Sequence, residues 1–231
     1  MVNIYSIEPF SLLDYPGELT CILFTFGCNM RCGYCHNPEL VIPQKNNRAP
    51  LSHKKVLTFL KDRKHLLDAV SICGGEPTIH SNLPTLLRTI KQLGYKIKLD
   101  TNGQNPTMLK EILREGLVDF LAMDIKMPFD KYHYISPQVI GVETLQKSTE
   151  LIINSGIHYE FRTTVLPRIH TPDVIQEMAR DLKDAQQWVL QGFRNGEVLS
   201  KEYTALHSTS YADLQTLLPF AQSIMQNVTV R

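Results

Sequence analysis

Three of the chain's five cysteines fall within eight residues, in the segment Gly27-Cys28-Asn29-Met30-Arg31-Cys32-Gly33-Tyr34-Cys35-His36-Asn37-Pro38. The spacing is C-x3-C-x2-C, and four chemistries compete for it. A helix would gather the three thiols on one face as core residues, but Gly27, Asn29, Gly33 and Asn37-Pro38 disfavour a helix there. Cys32-Gly33-Tyr34-Cys35-His36 matches the C-x-x-C-H pattern of c-type haem attachment. That attachment follows export, and Met1-Val2-Asn3-Ile4-Tyr5 lacks the basic and apolar regions of a secretory signal. Structural zinc wants four ligands, commonly in two separated pairs. No second cysteine pair exists, and adjacent Cys35 and His36 would strain to share one ion. A [4Fe–4S] cluster suits the set best, because soft thiolates favour iron–sulfur sites. Three thiols serve three irons and leave the fourth open to an exogenous ligand, as an open position marks a catalytic metal site.

The elements that must position this loop read as alternating strands and helices. Leu83, Leu86, Leu87, Ile90 and Leu93 share one helical face, Gly94 stops that helix, and residues 95–99 alternate like a strand. Asn105-Pro106 opens a helix carrying Met108, Leu109, Ile112 and Leu113, Gly116 ends it, and residues 118–123 form a buried strand. A helix over 142–155 ends at Gly156 before a strand over 158–165; Thr171-Pro172 opens another helix, and residues 187–193 give a further strand. Upstream, residues 20–26 and 69–73 are strands separated by a helix starting near Ser52, and residues 211–225 are helical. Six strands, each followed by a helical stretch, imply crossover units and a parallel sheet, either open and doubly wound or curled into a partial barrel. Residues 39–50 read as an exposed Pro- and Asn-rich loop, and no composition shift marks a domain boundary, so one domain over 1–231 is expected.

In such folds the reactive groups collect at the carboxyl ends of the strands. Cys28 to Cys35, Gly74 to Pro77, Asp100 to Gly103 and Asp124 to Lys126 each follow or close an expected strand. Cys21 and Cys73 lie in apolar strands and read as core thiols, and Trp188 as packing. His53, His65, His80 and His170 carry no ligand spacing.

Composition narrows the classes further. Of 231 residues 43% are hydrophobic and 20% charged, which supports a buried core and excludes disorder. A net charge of +1 gives no electrostatic case for nucleic acid or an anionic membrane. The longest uninterrupted apolar run is four residues, so nothing spans a bilayer. The expected location is cytoplasmic, where thiols stay reduced.

With these motifs in view, the sequence resembles the radical S-adenosylmethionine (SAM) superfamily, whose defining C-x3-C-x2-C motif has an aromatic before its last cysteine, here Cys28, Cys32, Tyr34 and Cys35. The resemblance implies a partial (βα)6 barrel, TIM-like but open. It implies a [4Fe–4S] cluster on the three cysteines, with SAM chelated at the open iron and cleaved by one electron to methionine and a 5′-deoxyadenosyl radical. Gly74-Gly75-Glu76-Pro77 looks like the family's GGEP loop, where backbone groups and the Glu76 carboxylate can accept from the SAM amino group. Asp100-Thr101-Asn102-Gly103 and Asp124-Ile125-Lys126 resemble the D-T-N-G and D-x-K segments of glycyl-radical-enzyme activases. In those relatives such residues line the SAM pocket, and the aspartates help hold a monovalent cation near its carboxylate. Read alone, either segment is better explained as a helix-capping Asp or Asn plus a surface lysine. Arg162 matches an arginine that reaches SAM or, alternatively, makes a salt bridge at the barrel mouth; His36 would adjoin the SAM adenine.

Ser11-Leu12-Leu13-Asp14-Tyr15-Pro16-Gly17 is similar to the S-x-x-D-x-P-G opening of these activases, and the stretch Asp100-Thr101-Asn102-Gly103 through Ala122-Met123-Asp124-Ile125-Lys126, with the late Leu190-Gln191-Gly192-Phe193-Arg194, looks most like the long form of the anaerobic ribonucleoside-triphosphate reductase activating proteins. Pyruvate formate-lyase activases place a SAM-contacting histidine where this chain has Gln191-Gly192-Phe193, and residues 39–50 carry no cysteine, so one cluster is expected. The resemblance thus implies an enzyme that takes an electron from a flavodoxin-like donor and abstracts hydrogen from a glycine of a partner glycyl radical enzyme. The alternatives are a small-molecule radical SAM enzyme such as a 7-carboxy-7-deazaguanine synthase-like enzyme, an activase of pyruvate formate-lyase or another glycyl radical enzyme, and an inactive zinc-binding module.

Overall fold

The structure, a computed structural model, describes residues 2–42, 49–138 and 140–231. It divides into two compact units, Met1–Asn29 with Glu39–Leu121, and Met30–Pro38 with Ala122–Arg231.

In the first unit β1 (Ile4–Ser11) runs antiparallel to β2 (Thr20–Thr25), and β2, β3 (Ala69–Gly74) and β4 (Lys96–Thr101) pair in parallel in that order. The crossovers are α2 (His53–Arg63) and α3 (Leu83–Gln92); α4 (Pro106–Arg114) follows β4. Ser52 caps α2 by accepting from the Lys55 amide at 3.3 Å, and Asn105 caps α4 by accepting from Met108 at 3.1 Å. Gly94 and Gly116 end α3 and α4 at positive φ, where a Cβ would be strained. The core lies between helices and strands: Leu60, Leu83, Leu87 and Ile90 on one side, Leu23, Val70, Ile72, Ile97 and Leu99 on the other, all fully buried. Burying each such side chain stabilises the unit by roughly 1.5–3 kcal/mol.

The chain passes to the second unit within β5 (Phe120–Asp124). There α5 (Val142–Ile153), β6 (His158–Val165), α6 (Pro172–Asp181), β7 (Trp188–Gly192), α7 (Tyr211–Gln222) and β8 (Val228–Val230) follow, with β6, β7 and β8 parallel. Trp188 is fully buried and donates to Thr163 Oγ1 at 2.9 Å, which donates to the Ile125 carbonyl at 2.6 Å. The buried indole thereby fixes the backbone beside β5.

The alternating α/β pattern is as expected, with three departures. Strands β1 and β8 were not anticipated. β1 tolerates Pro9 because a register shift between Glu8 and Ser11 releases it from the ladder at a sheet edge. Within 39–50, Pro38–Val41 is instead a short helix, α1, with Leu40 and Val41 buried; residues 43–48 lie outside the described residues. Cys21 is a core thiol, whereas Cys73, near the end of β3, is half-buried.

Candidate functional site

The first unit brings Cys28, the GGEP loop and the D-T-N-G segment to the carboxyl ends of β2, β3 and β4. Parallel pairing places these ends on one edge. The glycines permit the approach: a Cβ on Gly75 would stand 2.0 Å from the Gly27 carbonyl oxygen, and one on Gly74 would meet the Thr25 backbone at 2.3 Å. Glu76 is buried. Its Oε1 accepts from the Thr78 amide (3.0 Å), the Thr78 hydroxyl (2.5 Å) and the Thr101 hydroxyl (2.8 Å), and its Oε2 accepts from the Asn102 amide (2.7 Å). Burial raises its pKa while these donors oppose the rise. The carboxylate therefore ties the loop after β3 to the end of β4, a task the sequence did not suggest. Asn102, fixed in this way, donates its side-chain amide to Asn29 Oδ1 at 2.8 Å and lies 3.9 Å from Cys28 Sγ. An N–H aimed at a cysteine sulfur tunes a thiolate ligand.

Asp100, at the end of β4, accepts at Oδ1 from the ammonium of Lys98. Period-two alternation puts both on one face of the strand, and Lys98 is 2% exposed. Sequence reading missed Lys98, although its phase relative to Asp100 was the available signal. In the following turn the Gln104 side-chain nitrogen is buried without a hydrogen-bond partner among the described residues. Ser11 shapes the S-x-x-D-x-P-G turn by donating to the Asp14 carboxylate and accepting from the Leu13 amide at 3.1 Å.

The second unit assembles Cys32, Tyr34, Asp124, Lys126 and Arg162. Arg162 donates to Asp124 Oδ1 through Nε (3.1 Å) and Nη2 (2.9 Å), and Lys126 Nζ donates to Oδ2 at 3.1 Å. Burial pushes the Asp124 pKa up, but the two cations outweigh it and hold the carboxyl well below the usual range. Burial likewise pulls Lys126 down, and Asp124, Tyr34 and Cys32 more than restore it. Burial pushes the Cys32 thiol up to about 11, with the Lys126 charge opposing. Arg162 thus makes the salt bridge that was the alternative to SAM contact.

Both ends of the Lys126 residue are held. Its amide donates to the Tyr132 hydroxyl at 3.0 Å, and its carbonyl accepts from His170 Nε2 at 3.0 Å. His170 Nδ1 accepts from the Leu166 amide at 2.8 Å, so the ring is neutral with its proton on Nε2. Neither Tyr132 nor His170 had a sequence signal, because both act through peptide groups.

The cysteine loop itself is braced from late in the chain. Ser200 and Leu199 amides donate to the Gly33 and Cys35 carbonyls at 2.8 and 3.0 Å. The Tyr203 ring covers Gly33, where a Cβ would come within 2.3 Å of it, and stands 6.0 Å from the Tyr34 ring. His36 is exposed, packs 5.2 Å from the Phe193 ring centroid and donates to the Arg194 carbonyl at 2.6 Å.

In donor chemistry the three thiols of the loop suit an iron–sulfur cluster. None of the five cysteines is in a disulfide. Two cations face one carboxylate around Asp124, an excess that suits an anionic group such as a methionyl carboxylate. The same residues do not fit a monovalent cation, since Asp100 and Asp124 already carry side-chain cations.

The radical SAM superfamily model matches residues 22–182. A glycyl-radical enzyme activating enzyme of Methanocaldococcus jannaschii is 30% identical over 97% of this chain and 94% of its own. The pyruvate formate-lyase-activating enzyme of Clostridium pasteurianum is 29% identical over 80% of this chain and 77% of its own. Among solved structures, Streptococcus suis SuiB bound to S-adenosylmethionine superposes with a TM-score of 0.66 at 18% identity, over 89% of this chain and 48% of that one. The chain thus spans about half of SuiB, and the likeness shows the fold, the α/β TIM-like partial barrel expected.

Proposed function

Because the chain belongs to the radical SAM superfamily, and within it to the glycyl-radical enzyme activating enzymes, we propose that it installs the glycyl radical of an anaerobic ribonucleoside-triphosphate reductase. Enzymes of this family use a [4Fe–4S] cluster and SAM. Cys28, Cys32 and Cys35 would hold the cluster, and Tyr34, His36, Gly74, Gly75, Glu76, Asp100, Thr101, Asn102, Asp124, Lys126 and Arg162 would form the SAM site. When bound, the cluster would supply the electron for reductive cleavage of SAM and so the means of hydrogen abstraction from the partner's glycine. The chain's own residues hold and orient. Glu76 locks the GGEP and D-T-N-G loops together, Asn102 sets Cys28, and Lys126 with Arg162 presents positive charge to the SAM carboxylate.

The carrying observation is the C-x3-C-x2-C trio of thiols in one loop, none of them in a disulfide. For the partner, Gln191 and Phe193 support the reading: Gln191 donates to Thr164 at 3.0 Å and Phe193 is buried against His36, so neither supplies the histidine of pyruvate formate-lyase activases. The likeness to pyruvate formate-lyase-activating enzymes keeps that partner as the second reading. The test is anaerobic incubation with SAM, a flavodoxin-like donor and each candidate partner, read by electron paramagnetic resonance. A glycyl radical on the reductase is expected. A radical on pyruvate formate-lyase alone moves the assignment to the second reading, and SAM turnover with no protein radical points to a small-molecule substrate.

A further inference from the structure

We propose that Lys98 takes the place of a monovalent cation, so that SAM binding by this chain needs no potassium or sodium. The inference rests on the reading of Asp100 as a SAM-site residue. Resemblance to activases implies that the aspartates of the D-T-N-G and D-x-K segments share such a cation, yet each aspartate here is already paired. In the first unit the Lys98 ammonium occupies Oδ1 of Asp100. Its side chain is 3% exposed and that of Asp100 17%. The ammonium also lies 5.9 Å from the Phe120 ring centroid, within cation–π range, and the Phe120 ring is braced at 5.6 Å by Tyr15. In the second unit Lys126 and Arg162 take both oxygens of Asp124. Within its own unit each aspartate is thus already paired with a side-chain cation. A monovalent cation at Asp100 would meet the like charge of the Lys98 ammonium in poorly screened protein. Lys98 lies on β4 with Ser71 of β3 as its register partner, and its buried side chain keeps the ammonium against Asp100.

The experiment uses the anaerobically reconstituted protein in potassium chloride, sodium chloride or choline chloride at equal ionic strength. SAM affinity is measured by equilibrium dialysis and sodium binding by the sodium-23 line width. The parental protein should bind SAM equally, within about twofold, in all three salts and leave the sodium line unbroadened. Lys98→Met should bind SAM about tenfold or more weakly in choline, recover in potassium or sodium, and broaden the sodium line. If the parental protein loses SAM affinity in choline and regains it with potassium, the inference is overturned while the proposed function stands; this arm decides even if Lys98→Met does not fold. A Lys98→Met protein that binds SAM alike in every salt also overturns it. Absence of SAM binding in all salts refutes the proposed function itself.

Discussion

Replacing His170 by glutamine removes a proton-linked contribution to stability while leaving one donor and one acceptor at the same place. His170 is 4% exposed, and burial lowers its pKa from 6.5 to about 4, with the bonds to Lys126 and Leu166 only partly opposing. The folded protein thus keeps the ring neutral while the unfolded chain takes up a proton. The stability this contributes is complete above pH 6.5 and is lost as the pH falls toward 4. At 1.36 kcal/mol per pKa unit the full loss is about 3 kcal/mol, of which about 2 kcal/mol falls between pH 7 and pH 5. Glutamine should cost about 1 kcal/mol at pH 7 through poorer hydrogen-bond geometry. The two stability curves should therefore converge on acidification and cross near pH 5.5. Urea unfolding followed by the fluorescence of Trp188, the chain's one tryptophan and buried in the same unit, measures both. Other buried titrating groups, such as His80, act alike in both proteins and cancel in the difference. Curves that stay parallel from pH 7 to pH 5 would refute the reasoning, because the imidazole would then be free to charge in the fold.

Alanine at Cys28, Cys32 or Cys35 should abolish iron retention and SAM cleavage together, measured by iron and sulfide content and by release of 5′-deoxyadenosine; parental cleavage in any of the three sinks the cluster assignment. Asp124→Asn leaves Lys126 and Arg162 without their shared carboxylate, each 14% exposed. Because Asp124 itself is 32% exposed, the cost should be about 2–3 kcal/mol, at the low end for a broken buried pair. In the parental protein that stabilisation should be complete above the ordinary carboxylate range and be lost progressively as the pH falls through that range and below it, seen in acid unfolding. Gly75→Ala forces a methyl to 2.0 Å from the Gly27 oxygen and should lower stability by about 3 kcal/mol or more, with a fall in melting temperature as the readout.

Local chemistry was legible and long-range chemistry was not. Asn105-Pro106 and Thr171-Pro172 announced helix starts because a cap needs only the next three residues; Thr171 does accept from the Val174 amide at 3.4 Å. The cysteine spacing and the GGEP, D-T-N-G and D-x-K segments were visible because each is contiguous. β1 escaped because an antiparallel edge strand with Pro9 carries little alternation of its own, and three-residue β8 is too short to show any. Tyr132 and His170 escaped because the groups they hold are peptide N–H and C=O, identical at every position. Glu76 was recognised as a motif residue, but two of its four donors, from Thr101 and Asn102, come from residues that only the fold assembles.

The brace on the cysteine loop has a consequence for biogenesis. The amides that fix Gly33 and Cys35 belong to Leu199 and Ser200, and the ring that seats on Gly33 belongs to Tyr203. A ribosome exposes the thiols long before it makes their scaffold. Metal delivery to this protein should therefore succeed only on the finished chain, and nascent or truncated polypeptides lacking the segment after β7 should present oxidisable cysteines to the cell instead of a receptive nest.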